Sequence, residues 1–371
     1  MESGKKARNG SLDLMKFVFS IVIVLLHSGN LFGRNKFFPA GHIGVEFFYI
    51  VSGYYMAKSA LRYVDVDSKQ IGTITLKYIW HKIKHILPYF IVSCLVSFTL
   101  LHSINPTDFF TMGKDALYML SEMFMLQMAG FPGYWATGVA WYLSAMFLSM
   151  LIMYPLLLKN RDVFMKIIVP FNVTFVLGWV YYNYGTIGSP DILVLGLVFK
   201  GVLRAVIGLS IGCLCYQVSE VLKRYNYTSF MRALLTIIEV GGYVLVIYYA
   251  NICYPGTVEL VWILILLISV TITQTEKSYF YQCFKSSFFG FLGELSMYIY
   301  LCHHYWSSNL YNVIGYDATE GQALTMYLLF TALTVFGVML IVKLLKLIGR
   351  KLKPSVLKLI LVDENRKKEH L

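Results

Sequence analysis

Residues 11–32 read SLDLMKFVFSIVIVLLHSGNLF, and this stretch decides the class of fold. About 20 predominantly apolar residues are needed for a helix to cross the hydrocarbon core of a bilayer. The run has that length, yet it carries Lys16 and His27. An ionisable side chain inside a span is costly, which makes it a functional candidate by default. Lys16 and His27 are separated by about three whole helical turns, so both leave one face, roughly 16 Å apart along the axis.

The rest of the chain has the same character. Of its 371 residues, 57% are hydrophobic and 14% charged, with a mean hydropathy of +0.63. Soluble domains are nearer one quarter charged. The expected fold is all-α and polytopic, with about ten spans: 12–33, 40–61, 86–105, 138–158, 163–182, 195–218, 230–251, 255–275, 287–312 and 322–347. The first run lacks a small-x-small cleavage site and more spans follow it, so it reads as retained rather than as a signal peptide. Residues 108–130 have a helical pattern but carry Lys114, Asp115 and Glu122. This segment reads as interfacial or re-entrant.

The net charge of +12 is informative through its placement. With a cytoplasmic N-terminus, the outer loops hold only Arg34, Lys36 and Lys114, and Lys200 and Arg204 lie within the sixth span. All the other basic residues among the 32 Lys and Arg fall on the inner side. That bias places both termini in the cytoplasm and makes the excess charge a membrane-facing collar, not a nucleic-acid surface. The expected location is the plasma membrane, crossed many times. The chain divides into a transmembrane unit, 1–348, and a basic cytoplasmic tail, 349–371. Six cysteines match no zinc or redox spacing and read as packing residues; no metal site is expected.

The second span, GHIGVEFFYIVSGYYMAKS, places Glu46 in an apolar run ahead of Ser52 and Gly53. A carboxylate there needs a partner or a task. Running inward, it lies at about the depth of His27, and the alternative is solvation at the outer interface. Lys200 and Arg204 stand at i and i+4 and repel unless an anion faces them; Glu46 or a bound substrate would serve. His303 and His304 lie in the outer half of the ninth span. Adjacent helical positions differ by about 100°, so one of the two faces any given site and the other packs. Glu294 lies on another face, nearer the inner leaflet, and is the weaker candidate.

Three stretches together carry a resemblance: RNGSLDLMKFVFSIVIVLLH, GHIGVEFFYIVSGYYMAKS and GELSMYIYLCHHYW. They resemble the acyltransferase-3 family of integral membrane O-acyltransferases. Lys16 and His27 keep its basic-residue-to-histidine spacing. Gly44, Val45, Glu46, Phe48, Ser52, Gly53 and Tyr54 follow its second-span pattern. Gly293, Ser296, Tyr300, Leu301 and His303 follow its late-span pattern, with Met297 in place of a tyrosine. WYLS, Trp141 to Ser144, and Arg204 ahead of a glycine-containing helix are also similar. One departure stands out: the two arginines expected before the third span are Lys82 and His85, followed by Pro88. Lys84 and His81 lie nearby on other faces.

The resemblance implies an enzyme with no permanently bound cofactor and acyl-CoA, most simply acetyl-CoA, as donor. Lys16, Lys82 and His85 would hold the donor at the cytoplasmic side. His27, Glu46 and His303 would form the acid–base set, with His27 as general base and Glu46 fixing its tautomer. Arg204, Trp141 and Ser52 would contact the substrate or the oxyanion. The expected acceptor is a hydroxyl of an extracytoplasmic or lipid-linked glycan, and the partners are these substrates and the bilayer. The competing class is a transporter or flippase whose substrate path uses the same buried charges.

Overall fold

The computed structural model describes residues 8–32, 37–131 and 137–368, with the helical backbone alone beyond 349. Arg34, Lys36 and His370 lie outside the described residues. In a bilayer every backbone N–H and C=O must be paired within the chain, so spanning segments become helices. The architecture follows that rule. The helices are α1 (Gly10–His27), α2 (Ile43–Ala60), α3 (Ser68–Ile104), α4 (Phe109–Met123), α5 (Trp141–Lys159), α6 (Arg161–Tyr184), α7 (Lys200–Leu222), α8 (Ser229–Ile252), α9 (Glu259–Thr275), α10 (Ser287–Asn309) and α11 (Glu320–Lys368). One hairpin, Leu193–Val194 against Val198–Phe199, is the extended structure among the described residues.

Each of the ten expected segments falls on a helix. Among the described residues, seven helices are long and apolar enough to cross a membrane, and α9 is a shorter apolar helix. The other two, α2 and α10, carry Glu46 and the His303–His304 pair. The protein is therefore an all-α, multi-pass membrane protein.

Two boundaries differ from expectation for local reasons, and the first span, Gly10–Phe32 as expected, carries a local break. Its regular helix closes at His27. There the Ser28 hydroxyl donates to the Leu25 carbonyl at 2.6 Å, and a short turn of helix, Gly29–Phe32, follows. A serine hydroxyl competing for backbone carbonyls favours such an ending. The third helix begins at Ser68, capped by Asp67, well before its apolar part. Its 37 residues come to about 55 Å, well over the roughly 30 Å that a bilayer's hydrocarbon core requires. The last helix runs unbroken through residue 349, joining the basic tail to the final span.

The segment read as interfacial or re-entrant forms α4, which is not among the helices long and apolar enough to span. Asp108 caps it by accepting from the amides of Phe110 and Thr111, each at 3.0 Å. The Thr111 hydroxyl, then the backbone amides, hold the Asp108 carboxyl below its ordinary range. Phe109, Phe110 and Phe124 are exposed, while Glu122 is buried and accepts from the Thr137 hydroxyl at 2.7 Å.

Apolar surface alone does not drive helices together in lipid, so close backbone approach and polar contacts carry the assembly. The α2–α7 contact illustrates the first. A Cβ at Gly53 would lie 2.2 Å from the Leu209 carbonyl oxygen, and one at Gly212 would lie 2.1 Å from that of Ile50. Around this pair α1 packs on α10, α5 on α7 and α8 on α9. Cys94, Cys213, Cys215 and Cys302 are buried and free, as packing residues would be.

Gly53→Leu is expected to force α2 from α7 and destabilise by about 1–3 kcal/mol, the usual penalty of overpacking. A lowered thermal unfolding midpoint in detergent checks this. Gly241→Leu, where the added side chain meets open space, is the control and should leave the midpoint in place.

Candidate active site

Two polar centres lie in the half of the bundle where α1 ends and α2 begins. The first is an imidazole cluster. His27, the last residue of α1, brings its ring to 5.1 Å from that of His303 and 4.7 Å from that of His304. His303 is fully buried. Its Nδ1 lies 3.0 Å from the Ile299 carbonyl, and its Nε2 has no hydrogen-bond partner among the described residues. His27 and His304 are both half-buried.

The expectation that only one of His303 and His304 faces a given site is therefore corrected. Because His27 sits at a helix end, its ring reaches between two adjacent positions of α10, and the 100° rule does not separate them. Gly138, at φ +66, packs its backbone against the second ring: a Cβ there would meet His304 Nδ1 at 2.0 Å.

The second centre is an ion pair between Arg204 of α7 and Glu46 of α2, both essentially inaccessible. The guanidinium also donates to the His42 carbonyl at 2.8 Å and lies 5.4 Å over the Trp141 ring. The anion that Lys200 and Arg204 require is thus Glu46, held by Arg204. Its expected role as the orienting partner of His27 is corrected accordingly, because the carboxylate is engaged elsewhere. Lys200 turns aside to the Thr186 carbonyl at 3.4 Å and the Tyr184 ring at 5.0 Å.

His42, for which the sequence offered no argument, belongs to the adjoining network. Its Nε2 lies 3.0 Å from Glu259, which also accepts from the Tyr181 hydroxyl at 2.7 Å and the Ile187 amide at 3.2 Å. Glu294 is remote from both centres, accepting from the Tyr89 hydroxyl at 3.4 Å.

Below these centres, at the end where α2 finishes and α3 begins, lies a cavity of about 530 Å³. Lys16, Lys82 and His85 line it together with Arg62 and His81; none of its lining residues is acidic. Lys16 is steadied by Asp13 at 3.0 Å, one turn before it on α1. Lys82 lies 5.3 Å over the Tyr78 ring, which stacks at 4.1 Å on Tyr154. Ser52 lines the wall farther in.

Its inner part is lined by Phe48, Tyr142 and Tyr300, whose ring centroids lie 5.7 to 6.5 Å apart. The Tyr300 ring is 6.1 Å from that of His303. The cationic chamber thus reaches, through Tyr300, the neighbourhood of the histidines.

The sequence reading passed over Asp13, Glu259 and Arg62. Asp13 carried a signal, the i,i+3 spacing to Lys16; the other two depend on contacts between distant segments.

The helical, multi-pass bundle thus brings three histidines together beside a basic chamber. The family described as the acyltransferase domain matches residues 9–343, and the chain belongs to that family of membrane acyltransferases. No curated protein and no solved structure matches the chain.

Removing one member of a buried ion pair leaves a charge without a partner, at about 3–5 kcal/mol. Glu46→Gln and Arg204→Met should each lower the thermal unfolding midpoint strongly, and the double variant by less than the sum. Additive losses in a double-mutant cycle would show that the pair is not coupled.

Proposed function

We propose that the protein transfers an acyl group, acetyl in the simplest case, from acyl-CoA to a hydroxyl presented on the opposite side of the membrane. The observation that carries this reading is the basic chamber, one of whose lining rings, Tyr300, lies 6.1 Å from the ring of His303, itself 5.1 Å from that of His27. In this reading ten helices span the plasma membrane and both termini are cytoplasmic, so the chamber opens to the cytoplasm. The polyanionic head of the donor is held by Lys16, Lys82 and His85. The pantetheine arm runs inward past Ser52, and the thioester is presented at the Phe48–Tyr142–Tyr300 layer. Tyr300 is one turn, about 6 Å of rise, from His304.

The acceptor, a hydroxyl of an extracytoplasmic or lipid-linked glycan, approaches the exposed side of His27. Its oxygen attacks the thioester carbonyl carbon as the imidazole takes its proton, a task for which a neutral histidine is well matched near pH 7. The C–S bond then breaks, and the CoA thiolate receives that proton from the imidazolium. The products are an ester and CoA-SH. Two features assist the step. The negative end of the α1 dipole lies at His27, and the unpaired Nε2 of His303, an acceptor because its Nδ1–H is given to the Ile299 carbonyl, is available to orient the incoming hydroxyl. Arg204, Glu46 and Trp141 act as the rigid frame that fixes α2 and α7 beside the reacting groups.

His27→Ala should keep the fold and bind acetyl-CoA normally while losing transfer, by roughly 10²–10⁴-fold for a lost general base. The test uses labelled acetyl-CoA with purified protein and envelope fractions, following the label. Transfer retained by His27→Ala overturns the assignment of the base. Wild-type protein that leaves acetyl-CoA unconsumed overturns acyl transfer and favours transport.

A further inference from the structure

Where the family resemblance leads one to expect two arginines ahead of the third span, this chain has Lys82 and His85. Neither presents the planar fork with which a guanidinium grips a phosphate. The other lining cation on a spanning helix, Lys16, is tied to Asp13 at 3.0 Å. Lys82 lies against the Tyr78 ring, and His85 against His81 with ring centroids 4.8 Å apart.

The one arginine among the residues lining the chamber comes from elsewhere in the chain. Arg62 follows directly on the end of α2, where Leu61 caps the helix through the Ala57 carbonyl. It is exposed, and no carboxylate engages it among the described residues. Its neighbourhood is fixed. Ser59, one turn earlier, shares a 3.1 Å hydrogen bond with the Tyr154 hydroxyl, and Tyr154 stacks on Tyr78. Along α2 the chamber runs from Val45 to Arg62, about 25 Å at 1.5 Å per residue. Arg62 thus marks the rim farthest from the Tyr142–Tyr300 end.

We propose that Arg62 supplies the guanidinium that α3 lacks and that it binds the ribose 3′-phosphate of the donor. This rests on the acyl-CoA reading of the chamber. Lys16 and Lys82, one or more turns deeper, are then left to the diphosphate. A phosphate monoester is the most highly charged group of coenzyme A and lies at the opposite end from the thioester. The rim is where it falls when the thioester reaches the aromatic layer. A bidentate arginine–phosphate contact adds directional specificity to charge, so Arg62 determines which donors are accepted.

Equilibrium binding to the purified full-length chain tests this, with acetyl-CoA and 3′-dephospho-acetyl-CoA as probes. Wild-type protein should bind acetyl-CoA about 10-fold or more tightly than the dephospho donor, the range expected of one charge-assisted contact. Arg62→Gln should weaken acetyl-CoA by a similar factor, leave the dephospho donor unchanged and so erase the preference. Arg62→Lys should restore part of it. Equal weakening of both donors, or no change in either, overturns the role of Arg62 while leaving the chamber's assignment standing. Wild-type protein that binds neither donor overturns the acyl-CoA reading itself, and the Arg62 role with it.

Discussion

The structure depends on one buried pair of charges. Arg204 and Glu46 sit where water does not reach, and taking ions out of water is expensive unless each finds a close partner and further hydrogen bonds. Both conditions are met: the guanidinium holds the carboxylate, donates to the His42 carbonyl and rests on Trp141. His42 is in turn held by Glu259, itself fixed by Tyr181, Thr186 and Ile187. One chain of contacts therefore ties α2, α7 and α9 together at the depth where the histidines lie. In lipid, where apolar surface gives no preference for one helix neighbour over another, such a network decides which helices sit together.

A division of labour follows. The glycine contact between α2 and α7 brings the backbones close, and the ion pair fixes their register. The α1–α10 pairing, packed on the other side of α2 from α7, carries the imidazoles. Residues that hold the frame and residues that face the chamber thus lie on different helices or different faces.

Much of this was legible in the sequence, and the limits are physical. Long apolar runs declare themselves because a bilayer demands length, so every expected span falls on a helix. The spacing of Lys16 and His27 survives as one residue at the chamber and one at the histidine cluster. Glu46 announced its need for a partner, but helical periodicity is local, and Arg204 lies 158 residues away. His304 was misjudged because the rule for adjacent residues treats the facing group as a point, whereas His27 is a ring at a helix end. Arg62 was hidden among the inner charges, since counting cations assigns them to a side of the membrane but not to a rim. The polar first half of α3 was missed because a hydropathy reading follows only the apolar run, and helices need not.

The layer of Phe48, Tyr142 and Tyr300 has a consequence for the cell as well as for chemistry. A basic chamber reaching deep into a bilayer is half of an anion channel. Completing it would let metabolites and ions run down their gradients and would discharge the membrane potential. Three neighbouring rings, with the Tyr300 hydroxyl bound to the Val139 carbonyl at 2.7 Å, stand at the inner end of the chamber. Bulk of this kind, held in place by a hydrogen bond, is what a deep recess in a membrane protein requires if it is not to become a pore.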